Sequence, residues 1–168
     1  EFIRKCNEPS ILAAEGFHRL QKLGELTFRD SNGNHVPLLS KFEIDRLSIA
    51  RGSLDPQERL EIESHVTHTF RFLQQIPWTK SLQNIPEIAF GHHEKLDGSG
   101  YPRGIEQAHI APQTRMMTIA DIYDALTARD RPYKKAIPID KALDILHFEA
   151  KSQKIDSALL QIFIESET

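Results

Sequence analysis

Ile85-Pro86-Glu87-Ile88-Ala89-Phe90-Gly91-His92-His93-Glu94-Lys95-Leu96-Asp97-Gly98-Ser99-Gly100-Tyr101-Pro102 is an apolar helical stripe that runs into two imidazoles and then into a glycine-rich turn. Ile85, Ile88 and Ala89 share one helical face, and His92 continues it. His93 lies about 100° further round if the helix persists. Two consecutive side chains reach one centre only near a helix end, where the backbone leaves ideal geometry. The Gly-Ser-Gly-Tyr-Pro turn predicts such an end. Imidazole is well suited to iron, zinc, nickel or copper at neutral pH. Paired histidines are also found as ordinary surface residues, so the rest of the chain has to decide.

Working outward, the pattern is mostly helical. Pro9-Ser10 precedes the stripe Ile11, Leu12, Phe17, Leu20 and Leu23, with Gly24 as its stop. Residues 26–38 read as a small hairpin or irregular segment around the polar turn Asp30–Asn34. Ser40 and Glu43 form a capping-box signature for a short helix to about Ala50. Asp55-Pro56-Gln57-Glu58 starts another helix, whose stripe Ile62, Val66, Thr69, Phe70, Leu73 and Ile76 is closed by Pro77. A polar loop spans about Lys95 to Ala111. Pro112 opens a helix carrying Met116, Ile119, Ala120, Tyr123 and Leu126. Two further helices follow, about Asp140–Ala150 and Asp156–Glu165, each with an Asp cap. The expected fold class is all-α, a helical bundle, with 1–168 a single helical domain. Within it, 1–39 is a helical and hairpin segment and 40–168 the core.

Composition bounds the function. The chain has 168 residues and a net charge of -3, so no global charge attracts nucleic acid or a membrane surface. The single Cys6 forms no internal disulfide, which fits the reducing cytoplasm. No apolar run approaches the ~18 residues of a membrane-spanning helix. Glu1 is not a natural start residue, so the chain is expected to be cut from something longer.

Three polar features sit on apolar stripes. His65 lies between Ile62 and Val66, near the buried face of its helix; it reads either as a hydrogen-bonded core histidine or as a ligand. His68 points some 80° away, toward solvent. Asp121 shares a face with Met117, Asp124, Ala125 and Ala128. Ile119, Tyr123 and Leu126 occupy the opposite face, so this helix is expected to be buried on most sides. A buried carboxylate needs a partner. A metal is one solution, and Arg115 or Arg131 is another. Finally, Arg129-Asp130-Arg131-Pro132-Tyr133-Lys134-Lys135 is either a solvated helix end or an anion clamp.

Taken together, Glu61–Val66, His92-His93-Glu94, Asp97–Pro102, Arg115 through Asp121–Ala128 and Arg131–Lys134 resemble, in order and spacing, the HD-GYP family of cyclic-di-GMP phosphodiesterases. That family is a branch of the HD-domain phosphohydrolases, and the resemblance covers roughly Leu47 to Phe163. It implies an all-helical domain around a binuclear or trinuclear divalent-metal centre, iron first and manganese second. The implied reaction is hydrolysis of cyclic-di-GMP to pGpG or GMP. On matched positions, His65, His92, His93 and Asp121 would be metal ligands. Gly100, Tyr101 and Pro102 would shape the substrate rim, and Arg131 and Lys134 would contact substrate. Asp97 and Gly98 would steady the loop. A diguanylate cyclase domain docking on the Gly98–Pro102 loop is an implied partner.

The resemblance has one gap. No His-Asp dipeptide occurs in the chain. The family's HD pair, with its bridging Asp and following Lys, normally precedes the position of His65. His18 is followed by Arg19 and His35 by Val36, so neither replaces it. Two expectations follow. Either this is the C-terminal part of such a domain, or it is a degenerate member that binds cyclic dinucleotides or a protein partner without cutting. In both cases four ligands are too few for a full binuclear centre, and this chain alone is expected to hydrolyse little.

Overall fold

The structure, a computed structural model, describes residues 1–6, 10–11, 14–49, 51–52, 54–128 and 136–166. They form two compact units, residues 1–62 and 63–168, joined where the sequence reading expected one continuous domain.

The first unit contains helices α1 (Phe2–Cys6), α2 (Ala14–Gly24) and α3 (Lys41–Leu47) and most of α4 (Pro56–Glu63). Two small antiparallel pairs accompany them. Strand β1 (Ser10–Ile11) pairs with β4 (Arg51–Gly52), and β2 (Thr27–Arg29) pairs with β3 (His35–Pro37). The β2–β3 pair is the hairpin expected near 26–38. Ser10–Ile11 was expected to lead into a helix. It instead finds a backbone partner forty residues away in sequence, which local periodicity cannot register. Both capping boxes form, whereas the Asp140 cap expected for a later helix does not, because that helix already begins at Ile139 behind Pro138. The Ser40 hydroxyl accepts from the Glu43 amide while Glu43 accepts from the Ser40 amide. Asp55 and Glu58 exchange the same two bonds at 2.8 and 2.9 Å.

Among its described residues, the second unit is built from α5 (His65–Leu73), α6 (Ile85–Phe90), α7 (Pro112–Thr127), α8 (Ile139–Lys151) and α9 (Ser157–Ser166), with a 3-10 turn at Gln107–His109. Its core is Ile119, Leu146, Ile155 and Leu160, surrounded by Ile122, Tyr123, Leu143 and Phe163. These residues close α7, α8 and α9 on one another, although each of these helices also carries exposed apolar side chains, such as Met116, Phe148 and Ile162. Helix α5 packs against α6 through stacked Phe70 and Phe90 rings, 4.5 Å between centroids. The Asp156 carboxylate caps α9 by accepting from the amides of Ala158 and Leu159.

Three sequence expectations are corrected here. The helix expected from Asp55 to Ile76 is two helices, broken at Ser64. It also stops at Leu73, whose carbonyl takes the Trp78 indole N–H at 2.8 Å. His65 therefore begins a helix rather than lying mid-stripe. It is exposed, and Val66 is the buried residue. Helix α7 is also less covered than expected. Thr114, Thr118 and Ile119 are buried, whereas Met116, Met117, Ala120 and Asp124 are exposed among the described residues. Its neighbours α6, α8 and α9 need only one side of it.

Arg115 braces the long loop against α7 and α9. Its Nε donates to the Ile110 carbonyl at 2.9 Å, one terminal nitrogen to the Gln107 carbonyl at 2.7 Å, and the other to Asp156 at 3.0 Å. It is therefore committed away from Asp121. Burial pushes the Asp156 carboxyl up. The amides of Leu159 and Ala158 and the Arg115 guanidinium outweigh that and hold it below the usual range. This contribution to stability is present above a pH of ~4, the ordinary carboxyl value, and fades as pH falls below it. Arg115→Met is expected to lower unfolding free energy by about 2–3 kcal/mol in chemical denaturation at neutral pH. An unchanged midpoint would show that the brace carries no stability.

Candidate metal centre

The site is set by the way helix α6 ends. Gly91 is its C-cap, with φ -99° and ψ 3°, so the helix stops before His92 rather than running into it. The Glu94 amide then turns back to the Gly91 carbonyl at 2.8 Å. Within this turn the His92 and His93 rings lie side by side, their centroids 4.0 Å apart. A side chain at position 91 would press on Thr114 Cγ2 at 3.0 Å, so glycine also permits the close approach of α7.

His65, at the start of α5, brings a third imidazole. Its ring lies 5.0 Å from that of His93 and 5.7 Å from that of His92. One ligating atom from each of the three histidines lies within 4.8 Å of the others. Two donors on one ion can be at most about 4.2 Å apart, twice a metal–nitrogen bond of ~2.1 Å. The cluster thus closes on a cation with side-chain movements below an ångström. Asp121, on α7, presents Oδ2 at 3.7 Å from His93 Nδ1. The three histidines form one cluster, and Asp121 stands beside it through His93.

The tautomers suit ligation. His92 is buried, and its Nδ1 lies 2.6 Å from the Ala89 carbonyl. A carbonyl only accepts, so Nδ1 carries the proton and Nε2 keeps its lone pair. This is the outer hydrogen bond that orients metal-binding histidines generally. His93 has its pKa lowered to about 4, first by burial, then by the neighbouring imidazole of His92. Asp121 acts in the opposite direction without winning. The ring is neutral at neutral pH, so its approach to Asp121 is two donors side by side rather than an ion pair.

Two residues of this architecture escaped the sequence reading. Thr118 is buried on α7, and its hydroxyl lies 2.8 Å from the His92 carbonyl and 3.0 Å from that of Thr114. It joins the histidine segment to α7 one turn before Asp121. Glu94 was noted only as an acid beside the histidines. Its side chain is fully buried, and its two oxygens accept the Arg103 and Ile105 amides at 2.8 and 3.1 Å. Glu94 therefore binds the far side of the loop. Asp97 has the local role: it is exposed, and one oxygen accepts from both the amide and hydroxyl of Ser99.

The loop closes over the site. Gly100 packs onto the backbone of His93, Glu94 and Lys95 so tightly that any Cβ there would collide with main-chain atoms. Gly98 holds φ at +76°. The Tyr101 amide donates to the His93 carbonyl at 3.2 Å, and the Tyr101 ring lies 4.8 Å from the His93 ring. Pro102 follows on the exposed rim. Arg131 and Lys134 lie outside the described residues.

Comparison with known proteins identifies the frame. The HD domain family model matches residues 42–159, and the chain belongs to that family. It is 46% identical over 95 residues to "3'3'-cGAMP-specific phosphodiesterase 3" of Vibrio cholerae, covering 56% of this chain and 20% of that protein. It is 36% identical over 121 residues to "Cyclic di-GMP phosphodiesterase" of Thermotoga maritima, covering 70% of this chain and 32% of that protein. "3'3'-cGAMP-specific phosphodiesterase 1" of Vibrio cholerae is 35% identical over 115 residues, covering 68% of the chain and 26% of the relative. The chain thus spans between a fifth and a third of the length of these curated relatives.

Two outcomes are expected. In metal-free protein, NMR titration of His93 should give a pKa near 4, and a value near 6.5 would contradict its desolvated setting. Thr118→Val preserves shape but removes the hydroxyl. It should cost about 1–3 kcal/mol in denaturation and weaken metal binding about tenfold or more. Unaltered stability and affinity would show that this joint is idle.

Proposed function

We propose, from an HD domain in which three imidazoles cluster with a carboxylate beside one of them, that the protein bearing this chain is a divalent-metal-dependent phosphodiesterase acting on cyclic dinucleotides, with cyclic-di-GMP as substrate and pGpG or GMP as product. The cluster of His65, His92 and His93, with Asp121 3.7 Å from His93, supports this reading. The names of the relatives point to the same substrate class. They divide between cyclic-di-GMP and 3'3'-cGAMP, which share two 3'–5' phosphodiesters and at least one guanine.

The mixed imidazole and carboxylate set fits iron or manganese. Cations held there supply Lewis acidity toward a phosphodiester oxygen and lower the pKa of water. His92 offers Nε2 because Ala89 holds its Nδ1. His93 offers a neutral ring because burial keeps it unprotonated. Tyr101 stands beside the same ring and lines the approach for a guanine face or a phosphate. Arg131 and Lys134 belong to a run of four cations and supply charge for a dianionic ligand.

A second reading holds if the full-length protein supplies no His-Asp pair ahead of these residues. No His-Asp pair stands in the sequence, and four donors do not fill two coordination spheres. On this reading the domain holds a cyclic dinucleotide, or docks a diguanylate cyclase domain through the loop around Tyr101 and Pro102, without hydrolysis. A cytoplasmic setting suits either reading, since both ligand and unpaired Cys6 belong to a reducing compartment.

The test uses the full-length protein loaded with Fe(II) or Mn(II). Hydrolysis of cyclic-di-GMP or 3'3'-cGAMP that is lost with chelator is expected, and His92→Ala should lower both bound metal and turnover. Nucleotide binding without hydrolysis, unchanged by chelation, would replace the enzyme with the sensor. Metal content unchanged by His92→Ala would remove the ligand assignment.

A further inference from the structure

The carboxylate of Glu94 is the most deeply buried charged group described, and the phosphodiesterase reading gives it no task. It is adjacent in sequence to His93, yet it points away from the histidine cluster and into the turn at 103–105. Each of its oxygens accepts a different backbone amide, Oε1 from Arg103 at 2.8 Å and Oε2 from Ile105 at 3.1 Å. An amide side chain could not replace it. Gln offers one acceptor oxygen and would turn an NH2 group toward the second N–H. The charge is balanced from outside by Arg103, whose Nε lies 3.9 Å from Oε1. That guanidinium is itself held by Glu87 at 3.2 Å and lies over the Phe90 ring at 5.1 Å.

The loop is thereby fastened on both sides of Tyr101-Pro102. On the near side, Gly100 presses on the main chain of residues 93–95 and the Tyr101 amide bonds to the His93 carbonyl. On the far side, Glu94 grips the amides at 103 and 105. Between the two fastenings, the Tyr101 ring has little choice but to lie on His93. One short stretch, His93-Glu94, thus supplies both a donor of the cluster and the anchor of the ring beside it.

We propose that Glu94 is a positioning residue: by clasping the Arg103–Ile105 turn it holds the Tyr101 ring against the His93 imidazole, so that the ring is preset to receive the cyclic dinucleotide. The kinetic part rests on the functional reading above; the ring placement does not. A preset aromatic wall spares the ordering that a mobile loop must undergo on binding. Glu94 therefore acts on substrate binding, through Tyr101, and leaves the metal donors in place.

The experiment compares full-length wild type with Glu94→Gln, Glu94→Asp, Tyr101→Ala and the Glu94→Gln/Tyr101→Ala double variant. In metal-free protein with labelled Tyr and His, the wild type should show nuclear Overhauser contacts between the Tyr101 and His93 rings. Glu94→Gln should lose them, and its Arg103 and Ile105 amides should exchange faster. With metal loaded, Glu94→Gln should keep its metal stoichiometry and raise KM for cyclic-di-GMP about tenfold, with kcat within about threefold. In the Tyr101→Ala background the same change should add nothing further. If Glu94→Gln does not fold, Glu94→Asp keeps the charge, draws it back one methylene, and is read the same way.

Retained ring contacts in the variant, additive effects in the cycle, or metal loss in step with activity would each overturn the proposal. If the wild type neither binds nor cleaves a cyclic dinucleotide, the functional reading falls. The ring contacts and amide exchange then decide on the clasp alone.

Discussion

The end of helix α6 at Gly91 is the constraint on which the site depends. Had the helix continued, His92 and His93 would diverge by 100°, and only one could face His65. By stopping, the chain frees both rings to turn toward one point. Glycine at 91 also lets α7 come close enough for the Thr118 hydroxyl to reach the His92 carbonyl. That hydroxyl fixes the azimuth of α7, and Asp121 follows three residues later on the same face. One backbone feature thus bears on His92, His93 and Asp121, while His65, fifty-six residues before Asp121, reaches them from the start of α5.

Much of this was legible in the sequence because the signals are local. The Ser40–Glu43 and Asp55–Glu58 boxes announced their helices through residue types that satisfy orphan amides, and both pairs of bonds form. The Asp30–Asn34 turn announced the hairpin, with Asp30 accepting the amides of Asn32 and Asn34. The presence of α7, α8 and α9 was readable from Pro112 and from the acidic starts near 140 and 156, although the stripe read on α7 was only partly right, since Ile119 is buried while Met116 and Ala120 are exposed. Among site residues, the histidine pair was conspicuous because two imidazoles before a glycine-rich turn suit no ordinary core.

What the sequence hid depends on partners distant along the chain. The β1–β4 pairing needs residues 10–11 and 51–52 together, and no window of periodicity contains both. The break at Ser64 has no Pro or Gly to mark it, so a continuous stripe read as a continuous helix. Thr118 looked like a neutral helix residue, because its value lies in a carbonyl twenty-six positions earlier. Glu94 was obscured by its neighbours. Next to two histidines the acid drew no role of its own, and only the position of the Arg103 and Ile105 amides shows what it holds.

The two carboxylates nearest His93 illustrate how surroundings divide labour between like groups. Glu94 is sealed from solvent, and both oxygens are occupied by fixed backbone dipoles; its side chain is therefore spent on geometry. Asp121 is 37% exposed and stands 3.7 Å from a neutral imidazole that does not hydrogen-bond to it. An exposed carboxylate can trade its water for a cation at modest desolvation cost, whereas a buried and doubly bonded one would first have to give up two hydrogen bonds. Exchange of partners is thus open to Asp121 and closed to Glu94. The same asymmetry explains why the loop and the donors are separable. The loop is held through the Glu94 oxygens, and none of those bonds involves a side chain of the histidine cluster.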